Sequence, residues 1–139
     1  MFVHTCQKRV TYGETDQMGY FYYGNYAQLY EIGRAEAIRT LGITYQELES
    51  ELKIMMPVLE MNCRYRGPLK YDELMTIETI LTEMPTKLIH FYHNIYNMDG
   101  KLVHKGEVKL FFVDMESNKR VSCPSYLSDK LLPFFETKD

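Results

Sequence analysis

The segment from about Gly24 to Leu41 constrains the fold more than any other. Tyr26, Leu29, Tyr30, Gly33, Ala37 and Leu41 recur at intervals of three and four, and Ala27, Ile32, Ala35 and Ile38 widen the stripe. An apolar arc this broad predicts a helix buried on most sides rather than one lying on a surface. Gly42 is the stop signal. Thr44, with Glu47 three residues on, is placed to cap a short second helix. A helix apolar nearly all round needs a sheet curved about it, and the rest of the chain supplies strands.

Residues 3–12 read as a first strand through Val3, Val10 and Tyr12. In "TIETILTEM", Met75, Ile77 and Leu81 fall on one face and Thr76, Glu78 and Thr82 on the other, the period of a half-buried strand. Two further strands, "KLIHFYHNIYN" and "KLVHKGEVKLFFVD", flank Asn97-Met98-Asp99-Gly100, and Asp-Gly is a strong hairpin signal. Val108, Leu110 and Phe112 share a face, opposite Lys105, Glu107 and Lys109. Pro124 opens a terminal helix through Leu132. The expected architecture is α+β, an antiparallel sheet of about five strands around one long helix. Long edge strands need cover, and pairing with a second copy is one way to provide it.

A length of 139 residues suits one domain, 1–139. The charge of −3 gives no electrostatic reason to expect nucleic acid. "MFVHTCQKRV" has no apolar h-region and no run reaches eighteen apolar residues, so neither a signal peptide nor a membrane span is expected. Cys6, Cys63 and Cys123 are odd in number and widely spaced, which reads as reduced packing thiols in a cytoplasmic protein.

Familiar catalytic signatures are missing: G-x-S-x-G, G-x-G-x-x-G and the Walker loop. His90 and His93, three apart in a strand, point to opposite faces and cannot chelate one ion, while His4 and His104 stand alone. No metal and no cofactor is expected. That leaves Asp16, between the first strand and the helix. One reading makes it a turn or cap residue, roles that aspartate favours. The other uses the helix start, whose first N–H groups lack internal partners and carry a partial positive charge. A thioester or ester carbonyl placed there would have its oxyanion stabilised, while a carboxylate opposite attacked it or deprotonated a water. Gly19 and Gly24 would let the backbone come close.

The stretch "YGETDQMGYFYYGNYAQLYE" resembles the signature of hotdog-fold acyl-CoA thioesterases of the 4-hydroxybenzoyl-CoA thioesterase type, including the YbgC-like branch, through Tyr12, Asp16, Gly19, Phe21, Tyr23, Tyr26 and Glu31. A second block, "MPVLEMNCRYRGPLKYDELMTIET", carries the likeness through Pro57, Val58, Tyr65, Pro68, Asp72 and Ile77. The resemblance runs from about Val3 to Asp114 and implies the hotdog fold. It implies hydrolysis of acyl-CoA to acid and thiol, with Asp16 as catalytic carboxylate, the Tyr23 backbone N–H as oxyanion donor and Tyr12 lining the site. Gly19, Gly24, Pro57 and Val58 would contact substrate. YbgC-like members often carry histidine where this chain has Tyr23, so any mechanism should lean on Asp16 and not on an imidazole. Glu31 is either part of the site or a plain helix-face acid. The family sets its sites between subunits and holds coenzyme A with scattered cations, for which Arg64, Arg66, Lys70, Lys87 and Lys109 are available. A homodimer or homotetramer is expected. Three alternatives stay open: an acyl-carrier-protein thioesterase, a hydratase or dehydratase of the same fold, and a non-catalytic acyl-CoA binding module.

Overall fold

The computed structural model describes residues 1–136, so the last three positions of the expected domain lie outside the described residues. Seven antiparallel strands form the sheet: β1 (Phe2–Arg9), β2 (Ile54–Met55), β3 (Val58–Tyr65), β4 (Leu74–Leu81), β5 (Leu88–Tyr96), β6 (Leu102–Asp114) and β7 (Lys119–Val121). Five are long. Their order is β1-β4-β5-β6, with β3 on the far side of β6, while β2 and β7 pair with the last residues of β6. The β5–β6 turn closes as the Asp-Gly signal requires. Gly100 N–H donates to the Asn97 carbonyl at 3.0 Å, and the Asn97 side chain accepts from Asp99 and Lys101.

The inner face follows the alternation along each strand. Met75, Ile77, Thr79 and Leu81 of β4, Phe91, His93 and Ile95 of β5, and His104, Val108, Leu110 and Phe112 of β6 are all buried. Helix α1 (Tyr26–Arg39) lies in the concavity and buries Tyr26, Leu29, Tyr30, Gly33, Ala37 and Ile38. Two glycines set how closely it docks. A Cβ on Gly33 would stand 2.5 Å from Thr79 Oγ1 and 2.9 Å from Ile77 Cγ2, and one on Gly106 would overlap the Tyr30 ring. The Tyr30 side chain therefore reaches the β6 backbone itself.

Thr44 caps α2 (Tyr45–Ser50) by accepting from Glu47 N–H, and Pro124 precedes α3 (Ser125–Leu131), both as the sequence predicts. Two boundaries and one burial pattern differ from expectation. The first strand stops at Arg9, because Glu14 folds back to accept from Thr11 N–H and hydroxyl and makes a 3-10 turn of Tyr12–Glu14. The predicted helix start, Gly24, lies in another 3-10 turn, Tyr23–Asn25, that leads into α1. Burial of α1 is also one-sided: Ala27, Gln28 and Glu31 are exposed, because the sheet of one chain covers only one flank of the helix.

Candidate active site

Asp16 sits in a tight turn. Gly19 N–H donates to the Asp16 carbonyl at 3.0 Å, and Asp16 N–H donates to the Tyr20 carbonyl at 2.8 Å. Gly19 has φ +81°, a conformation that a side chain would strain. Oδ1 of Asp16 accepts two backbone hydrogen bonds, from Met18 N–H at 2.9 Å and Tyr20 N–H at 3.1 Å. Oδ2 has no partner among the described residues. The turn is tied to the body of the protein on both sides. Phe21 N–H donates to the Leu69 carbonyl and Tyr22 N–H to the Glu14 carbonyl, while Glu14 is ion-paired to Lys8 at 2.9 Å.

Around Asp16 the chain forms a concavity of about 460 Å³ lined by Tyr12, Thr15, Gln17, Gly19 and Tyr71. The Tyr12 and Tyr71 rings meet edge to face at 5.8 Å. At the start of the helix, neither Tyr23 N–H nor Gly24 N–H finds an acceptor among the described residues, as expected of the first donors of a helical turn. The Tyr22 ring lies over Gly24, where a Cβ would stand 2.5 Å from it. A second groove, about 420 Å³, begins at Gly24 and Asn25 and runs between α1 and β3, past Gln28, Glu31, Arg34, Val58 and Met61.

The sequence-predicted residues thus fall into two neighbouring groups. Tyr12, Asp16 and Gly19 share the first concavity; Gly24, Glu31 and Val58 share the second; Tyr23 stands exposed at the helix start. Pro57 precedes Val58 and accepts from Phe111 N–H, and the register shift between Val58 and Glu60 turns this end of the β3 edge. Of the expected coenzyme A cations, Arg64 and Arg66 line a depression on the outer sheet face with Lys105 and Tyr92. Lys87 and Lys109 lie further along, and Lys109 is 3.9 Å from Glu60.

A buried polar cluster that sequence reasoning misses lies under the helix. His93 and His104 are fully buried. The Tyr30 hydroxyl meets His104 Nε2 and donates to Cys63 Sγ at 3.2 Å, and His93 Nδ1 lies 3.1 Å from Thr79 Oγ1. Burial pushes His104 down to about 4. Burial, then Arg34, then His104 push His93 down to about 3. Both imidazoles are neutral at pH 7. The available signal was phase: His93 alternates with Phe91 and Ile95, and His104 with Val108, Leu110 and Phe112. Two of the thiols are held in the unreactive protonated form: burial and then Glu36 push Cys6 up, and burial pushes Cys123 up to about 12. Among the described residues no three His, Cys, Asp or Glu side chains converge, and no helix is long and apolar enough to cross a membrane.

Comparison with known proteins accounts for this arrangement. The model of the Thioesterase-like superfamily matches residues 10–131. A putative acyl-CoA thioesterase of Bacillus subtilis, YneP, is 36% identical over 122 residues, 87% of each chain. The acyl-CoA thioester hydrolase YbgC of Escherichia coli O157:H7 is 31% identical, covering 76% of this chain and 78% of its own. Among solved structures, a DHNA-CoA thioesterase from Staphylococcus aureus superposes with a TM-score of 0.87 at 27% identity, over 96% of this chain and 89% of that one. The curved sheet, the helix in its concavity and the two sequence blocks are those of a hotdog-fold enzyme, and the chain belongs to the Thioesterase-like superfamily.

Proposed function

We propose that the protein hydrolyses acyl-CoA thioesters to a free carboxylic acid and coenzyme A, with Asp16 as the reacting carboxylate. The observation that carries this reading is the division of labour on Asp16. Two N–H groups hold Oδ1, which fixes the carboxylate plane, and Oδ2 is left unpartnered in an open concavity. Relatives named as acyl-CoA thioesterases, at 36% and 31% identity, support the substrate class.

In this mechanism the thioester oxygen lies at the helix start and accepts from Tyr23 N–H. As the carbonyl carbon becomes tetrahedral its oxygen gains negative charge, and a donor already in place needs no reorganisation to meet it. Oδ2 either adds to the carbonyl carbon or takes a proton from a water that adds. In the first route the C–S bond breaks and leaves the acyl group on Asp16 as a mixed anhydride, which water then cleaves to free acid and carboxylate. In the second route the water adduct expels the sulfur and collapses directly to the acid. In both, the departing thiolate takes up a proton that the water supplies and leaves as coenzyme A thiol. Tyr12 forms a wall of the site beside Asp16. Gly19 holds the turn, Gly24 keeps the helix entrance narrow in section, and Pro57 and Val58 border the acyl groove.

The same reading calls for a second copy of the chain. Tyr12, Met18, Val58, Tyr23 and Tyr65 are 79%, 72%, 52%, 65% and 51% exposed, an apolar rim around both concavities that a lone chain leaves in water. The β3 edge lies beside them with one side unpaired. A homodimer or higher homo-oligomer closing over this rim would cover the substrate.

The test is thiol release from short, long, branched and aromatic acyl-CoAs by wild type and Asp16→Asn together. Turnover by wild type and a loss of ~100-fold or more in the variant is the expected result. Equal turnover by both proteins would refute the role of Asp16. Silence of folded wild type across the panel, with activity on acyl-carrier-protein thioesters, would move the substrate class.

A further inference from the structure

One imidazole, His104, meets three tyrosines where the start of α1 docks on the sheet. His104 lies on β6 between Ile95 of β5 and Tyr65 of β3, so strands hold it from both sides. Tyr26, the first residue of α1, stacks on its ring at 3.9 Å with the planes 16° apart. Tyr65 meets that ring edge-on at 4.8 Å and the Tyr26 ring at 5.3 Å. The Tyr65 hydroxyl donates to the Tyr23 carbonyl at 3.4 Å. One turn along the helix, Tyr30 is held at Nε2 in the slot opened by Gly106.

A side chain chosen only to fill this space would be apolar, since an imidazole carries polar atoms into the core at a cost. The cost is visible: Nδ1 of His104 is buried without a partner among the described residues. The Tyr30 hydroxyl bridges Cys63 Sγ and His104 Nε2, so Nε2 is the one ring nitrogen of His104 with a partner among the described residues. A leucine could occupy the volume, but it offers Tyr26 no flat face and Tyr30 no hydrogen-bond partner.

We propose that His104 is a positioning residue. It seats Tyr26 and Tyr30, and through them fixes where the Tyr23 and Gly24 N–H groups meet the thioester oxygen. The inference rests on the reading of Tyr23 given above. Its expected magnitude is large for a group outside the site, because a displacement of ~1 Å at a reacting centre costs on the order of 100-fold.

The test compares wild type with His104→Ala, His104→Phe and Tyr30→Phe, all as full chains. Phenylalanine keeps the flat face for Tyr26 and loses the hydrogen bond to Tyr30, and Tyr30→Phe loses the same bond from the other side. In folded His104→Ala, the backbone amide resonances of Tyr23 and Gly24 are expected to shift while those of β4 do not. On an acyl-CoA that wild type hydrolyses, kcat is expected to fall roughly 10–100-fold with KM changed less than about threefold. His104→Phe restores most of kcat, and Tyr30→Phe matches it. Unmoved Tyr23 and Gly24 resonances, or moved resonances with unchanged kcat, would overturn the proposal. Should His104→Ala fail to fold, the other two variants decide: equal small losses in kcat at constant KM support it, and wild-type kcat in both overturns it. Asp16→Asn runs as the control on the chemistry. If it is fully active the hydrolytic mechanism fails, while the amide resonances still judge whether His104 positions the helix.

Discussion

Because Oδ1 of Asp16 is bonded and Oδ2 is not, substitution can separate what this side chain does for the turn from what it does for the chemistry. Asparagine keeps an oxygen for Met18 and Tyr20 N–H and removes the charge; alanine removes both. Asp16→Asn should therefore unfold at nearly the wild-type denaturant concentration, and Asp16→Ala should lose about 1–2 kcal/mol by the same measurement, the worth of two modest hydrogen bonds. Tyr23 gives a second test. It opens a helical turn, where proline is accommodated because that N–H has no internal partner, and Tyr22 before it has ψ 131°, the extended conformation that proline favours. Tyr23→Pro should fold and lose ~100–1,000-fold in kcat, whereas Tyr23→Phe should lose little. Sequence left Asp16 open between a turn residue and a reacting carboxylate. The turn half is now seen directly, and its donors, Met18 and Tyr20 N–H, had no signature because a backbone donor can come from any residue.

Among the elements, the strands were legible and the helix environment was not. Alternation in β4, β5 and β6 depends on one chain alone and survives into the structure. Burial of α1 depends on what surrounds it, so the apolar breadth of Ala27, Ile32 and Ala35 promised more cover than a single sheet supplies. The hydrogen bond between His104 and Tyr30 was unreadable for a related reason: it needs the Gly106 slot, which only the packed sheet creates. Close docking gives a prediction at this scale. Gly33→Ala drives a methyl group into Thr79 and Ile77, and should cost about 1–3 kcal/mol in denaturant unfolding with an unchanged m-value.

For the molecule as a whole, His93 and His104 impose an acid limit. Both titrate lower when folded than the 6.5 of a free histidine, so between those values the unfolded chain binds more protons. Stability from this pair is complete above about pH 6.5 and is lost as pH falls toward about 4 for His104 and about 3 for His93. Melting followed from pH 7 to pH 5.5 should show a loss of about 1–3 kcal/mol, and His93→Gln should flatten the slope. Assembly is testable too: Met61→Lys puts a charge on the exposed β3 edge and should shift the sedimentation profile toward single chains. The aromatic rim around Asp16 then has a kinetic consequence. If a lone chain carries only an uncovered site, then in dilute solution, where few chains are paired, catalytic output rises with the square of chain concentration and approaches proportionality only as pairing saturates. Enzyme diluted for assay would lose specific activity slowly, at the rate its subunits part.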